Sequence, residues 1–109
     1  MRVIRSVLKE ELANSLRMRR EYERALKQLP KGVLIRKQIR GHGYYYLLKR
    51  ESGRVRFEYL GRRISLGMDH RYKEAKQLRA KYRKLLAQVK RQVSFLERAL
   101  RGRSRRAVA

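Results

Sequence analysis

The sequence predicts an α+β fold in which a long N-terminal helix, a three-stranded antiparallel meander and a long C-terminal helix follow one another, the two helices pairing antiparallel. Two observations carry this prediction. The chain breakers are central, because Pro30 is the only proline and six of the seven glycines lie within residues 32–67. Hydrophobic residues recur with a helical period on both sides of that segment and with a period of two inside it.

The first helix is predicted over residues 1–29 because neither glycine nor proline interrupts this stretch. From Ile4 to Leu16 an apolar residue recurs every four positions, which places one apolar stripe along the helix. Pro30 then ends the helix, because the residue before a proline disfavours the helical conformation.

Three strands are predicted within residues 33–60, where the alternation of side chains gives the sheet two faces. The separators, residues 41–43 and 51–53, contain glycine and are short, so consecutive strands are antiparallel neighbours. We name the two faces by their residues. The apolar face holds Val33, Ile35, Ile39, Tyr44, Tyr46, Leu48, Val55, Phe57 and Tyr59, and the basic face holds Arg36, Gln38, Arg40, Tyr45, Leu47, Lys49, Arg54 and Arg56.

The division between the two faces predicts which side of the sheet is buried. The basic face carries too many cations to pack inward, so we expect it to meet solvent or a ligand. We expect the apolar face, including Tyr44 and Tyr46, to form the core.

The second helix is predicted over residues 70–100, where apolar residues step by three or four from Ala75 to Leu100, close to a coiled-coil seam. Asp69 is the expected N-cap. The similar lengths of the helices favour an antiparallel pair, although either seam also suits a second copy or a partner. Residues 1–100 are thus interpreted as a single domain, and residues 101–109 as a basic tail that is disordered when free.

The net charge is the main functional signal. The chain has 32 Lys and Arg against 9 Asp and Glu, a formal charge of +23 on 109 residues, far above the ~2–8 usual for a small soluble domain. The contributions are +4 from residues 1–29, +8 from residues 30–67 and +11 from residues 68–109. This distribution is typical of proteins that neutralise phosphates.

The charge predicts a non-enzymatic nucleic-acid-binding protein that grips the phosphate backbone of DNA or RNA. We expect it to be an accessory subunit of a larger nucleoprotein complex, in the cytoplasm with the nucleoid or a ribonucleoprotein. Tyr45 stands among arginines, where its ring either stacks on a base or covers its strand neighbours. The expected binding residues are Arg36, Arg40, Tyr45, Lys49, Arg54, Arg56, Arg62, Arg63, Lys76, Lys84, Arg103, Arg105 and Arg106.

Catalytic and cofactor chemistry finds little support in the sequence. The chain has no cysteine, so thiol catalysis and thiolate metal sites are excluded. His42, between two glycines, is interpreted as a turn residue, and helix capping explains the Asp69-His70 pair. We expect no catalytic residue, metal, cofactor or small-molecule substrate. We also expect no membrane contact, because no window holds the ~18 apolar residues of a span.

A protein-interaction module is the alternative from another functional class. In that interpretation the helical seam docks an acidic partner, as in an inhibitor or a toxin-neutralising protein. A high ratio of absorbance at the nucleic-acid maximum to that at the protein maximum would favour the nucleic-acid interpretation.

Three stretches carry a resemblance to known families: residues 29–34 (LPKGVL), 41–47 (GHGYYYL) and 53–61 (GRVRFEYLG). They resemble a small uncharacterised prokaryotic domain family with a Tyr-rich hairpin, a Tyr-x-Gly ending and helical flanks, which implies this fold and no particular activity. More distantly, the meander and following helix are similar in architecture to arm-type DNA-binding domains of tyrosine integrases and to plant AP2-type domains. That likeness implies a sheet laid on a DNA groove.

Overall fold

A computed structural model describes the backbone of residues 2–108 and the side chains of residues 3–102. The predicted α+β order is confirmed, and the two helices pack against each other as an antiparallel pair. The elements are α1 (Arg2–Gln28), β1 (Val33–Ile39), β2 (His42–Glu51), β3 (Arg54–Gly61) and α2 (Leu66–Val108).

The N-terminus of α2 is capped by a residue other than the one expected. The Met68 amide donates to Ser65 Oγ at 3.1 Å, and the Asp69 amide donates to the Ser65 carbonyl at 3.0 Å. Ser65 is therefore the N-cap, and the assignment of Asp69 to that position is wrong. Asp69 instead lies in the first turn, where its carboxylate is 3.0 Å from Lys73 Nζ at the i,i+4 spacing.

The C-terminus of α2 also differs from the predicted boundary at residue 100. The helix extends to Val108, so it includes the backbone of most of the stretch that was predicted to be a basic tail. Arginine and alanine are good helix formers and this stretch contains no proline, so its one glycine, Gly102, does not end the helix. The side chains of Arg103, Arg105 and Arg106 lie outside the described side chains, and disorder of this stretch in the free protein stays a prediction.

The three strands form one antiparallel sheet in the order β1-β2-β3, as predicted. Both hairpins turn through two residues, Arg40-Gly41 and Ser52-Gly53, whose four φ angles lie between 51° and 80°. Positive φ at both central residues is the mark of a type I′ turn, which matches the twist of the flanking strands. The first turn is thus one residue earlier than expected, and His42 begins β2.

The buried residue of the sheet is not on its apolar face. Among the described residues of the sheet, Leu47 on the basic face is the only buried one, at 3% exposure. On the apolar face, Phe57 is 52% and Tyr59 57% exposed, and Tyr44 and Tyr46 are half-buried. The expectation that the apolar face forms the core is therefore wrong. The expectation that the basic face is open to solvent is met at its exposed residues but not at Leu47.

The reason is that alternation decides which residues share a face but not which face is covered. The centre of the basic face can be covered because Leu47 is paired there with Leu34 of β1. Long Lys and Arg side chains can pack their stems on apolar surface while their charged ends stay in water, so cations around this centre are compatible with its burial. A basic pattern on a strand face therefore does not exclude burial of the face's central position.

The chain divides into two compact units. One consists of Met1–Gln28 with Lys81–Ala109, and the other of Leu29–Ala80. The helix α2 thus contributes its first part to the unit that contains the sheet and its remainder to the helical unit. In the sheet unit, Arg79 donates to the Pro30 carbonyl at 2.6 Å and joins α2 to the segment that precedes β1.

The helical unit is held by a narrow seam between α1 and α2. The rings of Tyr22 and Tyr82 lie 6.1 Å apart, and Val89 and Val93 are each 3% exposed. In an antiparallel pair, moving seven residues back from Tyr22 and seven forward from Tyr82 brings Ser15 level with Val89. Ser15 is 1% exposed, and its small side chain permits close approach of the helices.

We predict that Gly32→Ala destabilises the sheet unit. Gly32 has a φ of +108°, and a Cβ there would lie 2.9 Å from Leu47 Cδ1 and 3.1 Å from the Leu48 carbonyl oxygen. Overpacking and the positive φ together should lower the free energy of unfolding by about 1–3 kcal/mol, measured by thermal unfolding followed by circular dichroism.

The matched control is Gly67→Ala, in the first turn of α2, where a Cβ would meet open space. This change should leave stability unchanged or raise it by up to ~1 kcal/mol, because glycine is disfavoured in helices. Equal effects of the two substitutions would contradict the close approach of Gly32 and Leu47.

We predict that Leu96→Ala destabilises the helical unit by ~2–5 kcal/mol, because Leu96 is 5% exposed and its truncation leaves a cavity. The neighbouring Phe95 is 61% exposed, so Phe95→Ala should change stability by less than ~0.5 kcal/mol. Both are measured by urea denaturation. If the two variants unfolded at the same urea concentration, the seam would lie elsewhere on α2.

Candidate nucleic-acid interface

The structure places the predicted binding residues of the sheet on its basic face and at one turn. Arg36, Arg54 and Arg56 are exposed, Tyr45 is half-buried, and Arg40 is the first residue of the β1–β2 turn, with a φ of 52°. Arg40 therefore lies at the end of the sheet rather than in a row with the strand residues. The face keeps exposed cations around its buried centre.

Two cations of the basic face have carboxylate partners. Lys49 Nζ is 3.4 Å from Glu58 Oε2, and Arg56 Nη1 is 3.6 Å from Glu51 Oε2. The four side chains are 34–75% exposed, so each pair contributes at most about 1 kcal/mol to stability. Their larger effect is electrostatic, because the pairing reduces the positive potential that Lys49 and Arg56 present.

Arg36 packs along the sheet surface. Its guanidinium lies within 2.6–2.9 Å of the point that a Cβ of Gly43 would occupy, so the absence of a side chain at Gly43 makes room for it. Arg36 is also paired directly opposite Tyr45 in the β1–β2 register. This neighbourhood fits the interpretation of Tyr45 as a side chain that covers its strand neighbours.

The remaining predicted residues lie after β3 and on α2. Arg63 is exposed, and Arg62 is exposed with its Cζ 5.6 Å from the centre of the Tyr44 ring. Lys76 and Lys84 are exposed on α2, one in the sheet unit and the other in the helical unit. The structure therefore places Arg62 at the apolar face of the sheet, whereas the other expected binding residues of the strands lie on the basic face.

The apolar face carries a cluster of four rings, Tyr44, Tyr46, Phe57 and Tyr59, which we call the aromatic cluster. The ring centres are 5.4 Å apart for Tyr46 and Tyr59, 6.3 Å for Tyr44 and Tyr59, and 6.4 Å for Tyr46 and Phe57. Tilted and edge-on contacts of this kind are favourable between aromatic rings. The rings thus contact one another while each stays at least partly open to solvent.

Lys37 is a member of this face that sequence reasoning missed. Its Nζ is 4.1 Å from the centre of the Phe57 ring and 5.3 Å from that of Tyr46, which are cation–π distances. Its position in the sequence could have identified it, because Lys37 is a charged residue at an apolar-face position between Ile35 and Ile39. The four rings were missed as site residues because they were assigned to the core.

A shallow hollow of about 320 Å³ opens on the same face. Its walls are Ile39 and the rings of Tyr44, Tyr46 and Tyr59. Ring faces and an aliphatic side chain accept flat apolar groups, and the phenolic hydroxyls of three tyrosines can donate and accept hydrogen bonds. The hollow is thus chemically suited to a planar ligand with polar edges.

Within residues 3–102 no three His, Asp or Glu side chains are grouped so that they could hold a metal ion. Over the same part of the chain, neither helix has a stretch long and apolar enough to cross a membrane.

The chain was compared with known proteins by family and by structure. A family model described as "Domain of unknown function (DUF6788)" matches residues 2–64. The chain belongs to this family. No curated protein is significantly similar to the chain, and no solved structure is either.

The family match divides the candidate residues into two groups. It includes α1, the whole sheet, Lys37, Arg62 and the aromatic cluster, and it ends one residue before the N-cap of α2. Lys76 and Lys84 lie beyond it. The aromatic cluster is therefore part of the domain that the family model describes, whereas the cations of α2 are outside it.

Proposed function

We propose that this protein binds nucleic acid through the phosphate backbone and catalyses no reaction. The observation that carries the proposal is the charge of +23, together with where it lies. Apart from Arg79, every described basic side chain of α2 is exposed. Exposed Lys and Arg bind phosphates and release the counterions condensed on them, which favours association with any polynucleotide.

The proposed contacts extend over several surfaces. They comprise the exposed cations of the basic face, Arg62 and Arg63, the cations of α2 and the arginines after residue 102. Charge alone does not separate DNA from RNA, so both remain ligands under this proposal. We further propose that the protein is an accessory subunit of a nucleoprotein complex, with the nucleoid or a ribonucleoprotein in the cytoplasm.

The alternative, a module that docks an acidic protein through its helical seam, has less support. Val89, Val93 and Leu96, which form the second half of that seam, are buried within the helical unit. A partner would have to displace α1 from them. The exposed cations, by contrast, are available without any rearrangement of the chain.

We predict that binding to duplex DNA weakens steeply with salt. A contact set of ~6–8 phosphates gives a slope of roughly −5 to −7 in a plot of log K against log salt concentration. The measurement is fluorescence anisotropy of a labelled duplex titrated with the full chain at several salt concentrations. Absence of binding at low salt, or a flat dependence, would contradict the proposed function.

We predict that the lysines of α2 act locally as phosphate contacts. Lys76→Ala with Lys84→Ala removes two contacts and should reduce the magnitude of the salt slope by about two, with weaker binding to every sequence. The matched control is Lys9→Ala with Lys27→Ala, which removes the same charge from exposed positions on α1.

The control variant should keep the slope of the wild-type chain, because α1 carries only +4 and its cations are mixed with glutamates. If both double variants lost the same affinity, the effect would come from net charge alone. The proposal that α2 contacts phosphates would then be wrong.

A further inference from the structure

The aromatic cluster has an exposure that its role in the fold does not explain. Phe57 and Tyr59 lie on the edge strand β3 and are more than half exposed, although aromatic side chains are among those that gain most from burial. Ile39 and Val55 on the same face are 48% and 52% exposed. Neighbouring exposed apolar side chains of this kind on a small domain are a candidate binding surface.

We propose that the apolar face of the sheet binds single-stranded nucleic acid by stacking bases on Tyr59 and on the side of Phe57 that Lys37 leaves exposed, with Lys37 and Arg62 beside the phosphates. The inference rests on the proposed function and adds to it the class of nucleic acid and the place of its bases. Aromatic rings on a sheet surface stack bases of any sequence, because every base has a π face.

The spacing of the rings favours a single strand over a duplex. Phe57 and Tyr59 are two residues apart on one strand, which places them ~7 Å apart along β3. Successive bases of a duplex strand are only ~3.4 Å apart along the helix axis and are stacked on each other. Neighbouring bases therefore reach both rings only when the strand is extended and its bases are unstacked.

The charges on this face select an anionic occupant. Lys37 lies over Phe57 and Arg62 over Tyr44, so cations stand at the aromatic cluster from both β1 and the segment after β3. The two carboxylates of the sheet, Glu51 and Glu58, pair with basic-face residues on the other side. The apolar face of the described sheet thus combines rings and cations without an acidic residue.

The same charges disfavour the other occupants of an apolar face. A second copy of the chain would bring two sets of Lys37 and Arg62 together and add +23 to +23. A purely apolar protein surface would cover these cations without pairing them, which is costly. A polynucleotide offers both flat rings and phosphates, in alternation along one chain.

The experiment uses three ligands of equal length: an oligothymidylate single strand, an abasic single strand with the same phosphates, and a duplex. Binding of the full chain is measured by anisotropy for the wild type and for Phe57→Ala with Tyr59→Ala. Phe95→Ala is the matched control, because it removes an equally exposed phenylalanine from α2. The wild type should bind oligothymidylate more tightly than the abasic strand.

The double variant should lose about tenfold in affinity for oligothymidylate per ring and almost none for the abasic strand. Phe95→Ala should lose nothing on either ligand. Tyrosine emission adds an independent readout, because the chain has seven Tyr and no Trp. Oligothymidylate should quench this emission in the wild type, and the abasic strand should not.

Several results would overturn the inference while leaving the proposed function intact. One is equal affinity of the wild type for the thymidylate and abasic strands, and another is tyrosine emission that oligothymidylate leaves unchanged. The others are equal losses of affinity for both single strands in the double variant, and a wild-type dimer that the double substitution dissociates. Failure of the wild type to bind any of the three ligands would instead reject the proposed function. If the double variant unfolds, the inference is tested by the affinities of the wild type for the two single strands and by its tyrosine emission.

Discussion

The burial of Leu47 is the constraint on which the rest of the sheet unit depends. In a β-strand, successive side chains point to opposite faces, so burying Leu47 turns Tyr46 and Leu48 to the other side of the sheet. Leu47 lies directly against Gly32, and only a residue without a side chain permits that approach. One buried leucine in the central strand thereby decides that the aromatic cluster is presented outward.

The chain combines this small core with a charge that opposes compaction. Its buried apolar side chains are Leu47 and Ala75 in the sheet unit and Val89, Val93 and Leu96 in the helical unit, among the residues whose side chains are described. Self-repulsion of +23 acts against both units. A bound polyanion would relieve the repulsion and raise the stability of the folded chain by linkage.

The two faces of the sheet differ in how their cations are used. On the basic face, Glu51 and Glu58 take up part of the positive charge of Arg56 and Lys49. On the apolar face, Lys37 and Arg62 have aromatic rings as neighbours, which attract a cation without neutralising it. Under the proposed function, the side of the sheet that offers rings for bases would therefore also offer phosphates its fully charged groups.

The sequence by itself determined the order of the elements, because glycine, proline and hydrophobic period are local signals. Helices are predicted over residues 1–29 and 70–100. The structure moves each end of the first by one residue, begins the second four residues earlier, with Ser65 instead of Asp69 as its cap, and ends it eight residues later. The alternation in residues 33–60 also fixed which side chains share a face, since that depends only on strand geometry.

Only the tertiary structure decided which face of the sheet is covered, and with it the composition of the candidate site. Coverage depends on how the rest of the sheet unit packs on the strands, and periodicity within a strand contains no information about that. The rings of Phe57 and Tyr59 were therefore assigned to a core that lies on the opposite face. Lys37 acquires its place beside them only when three strands align in register and bring its ammonium group 4.1 Å from a ring two strands away.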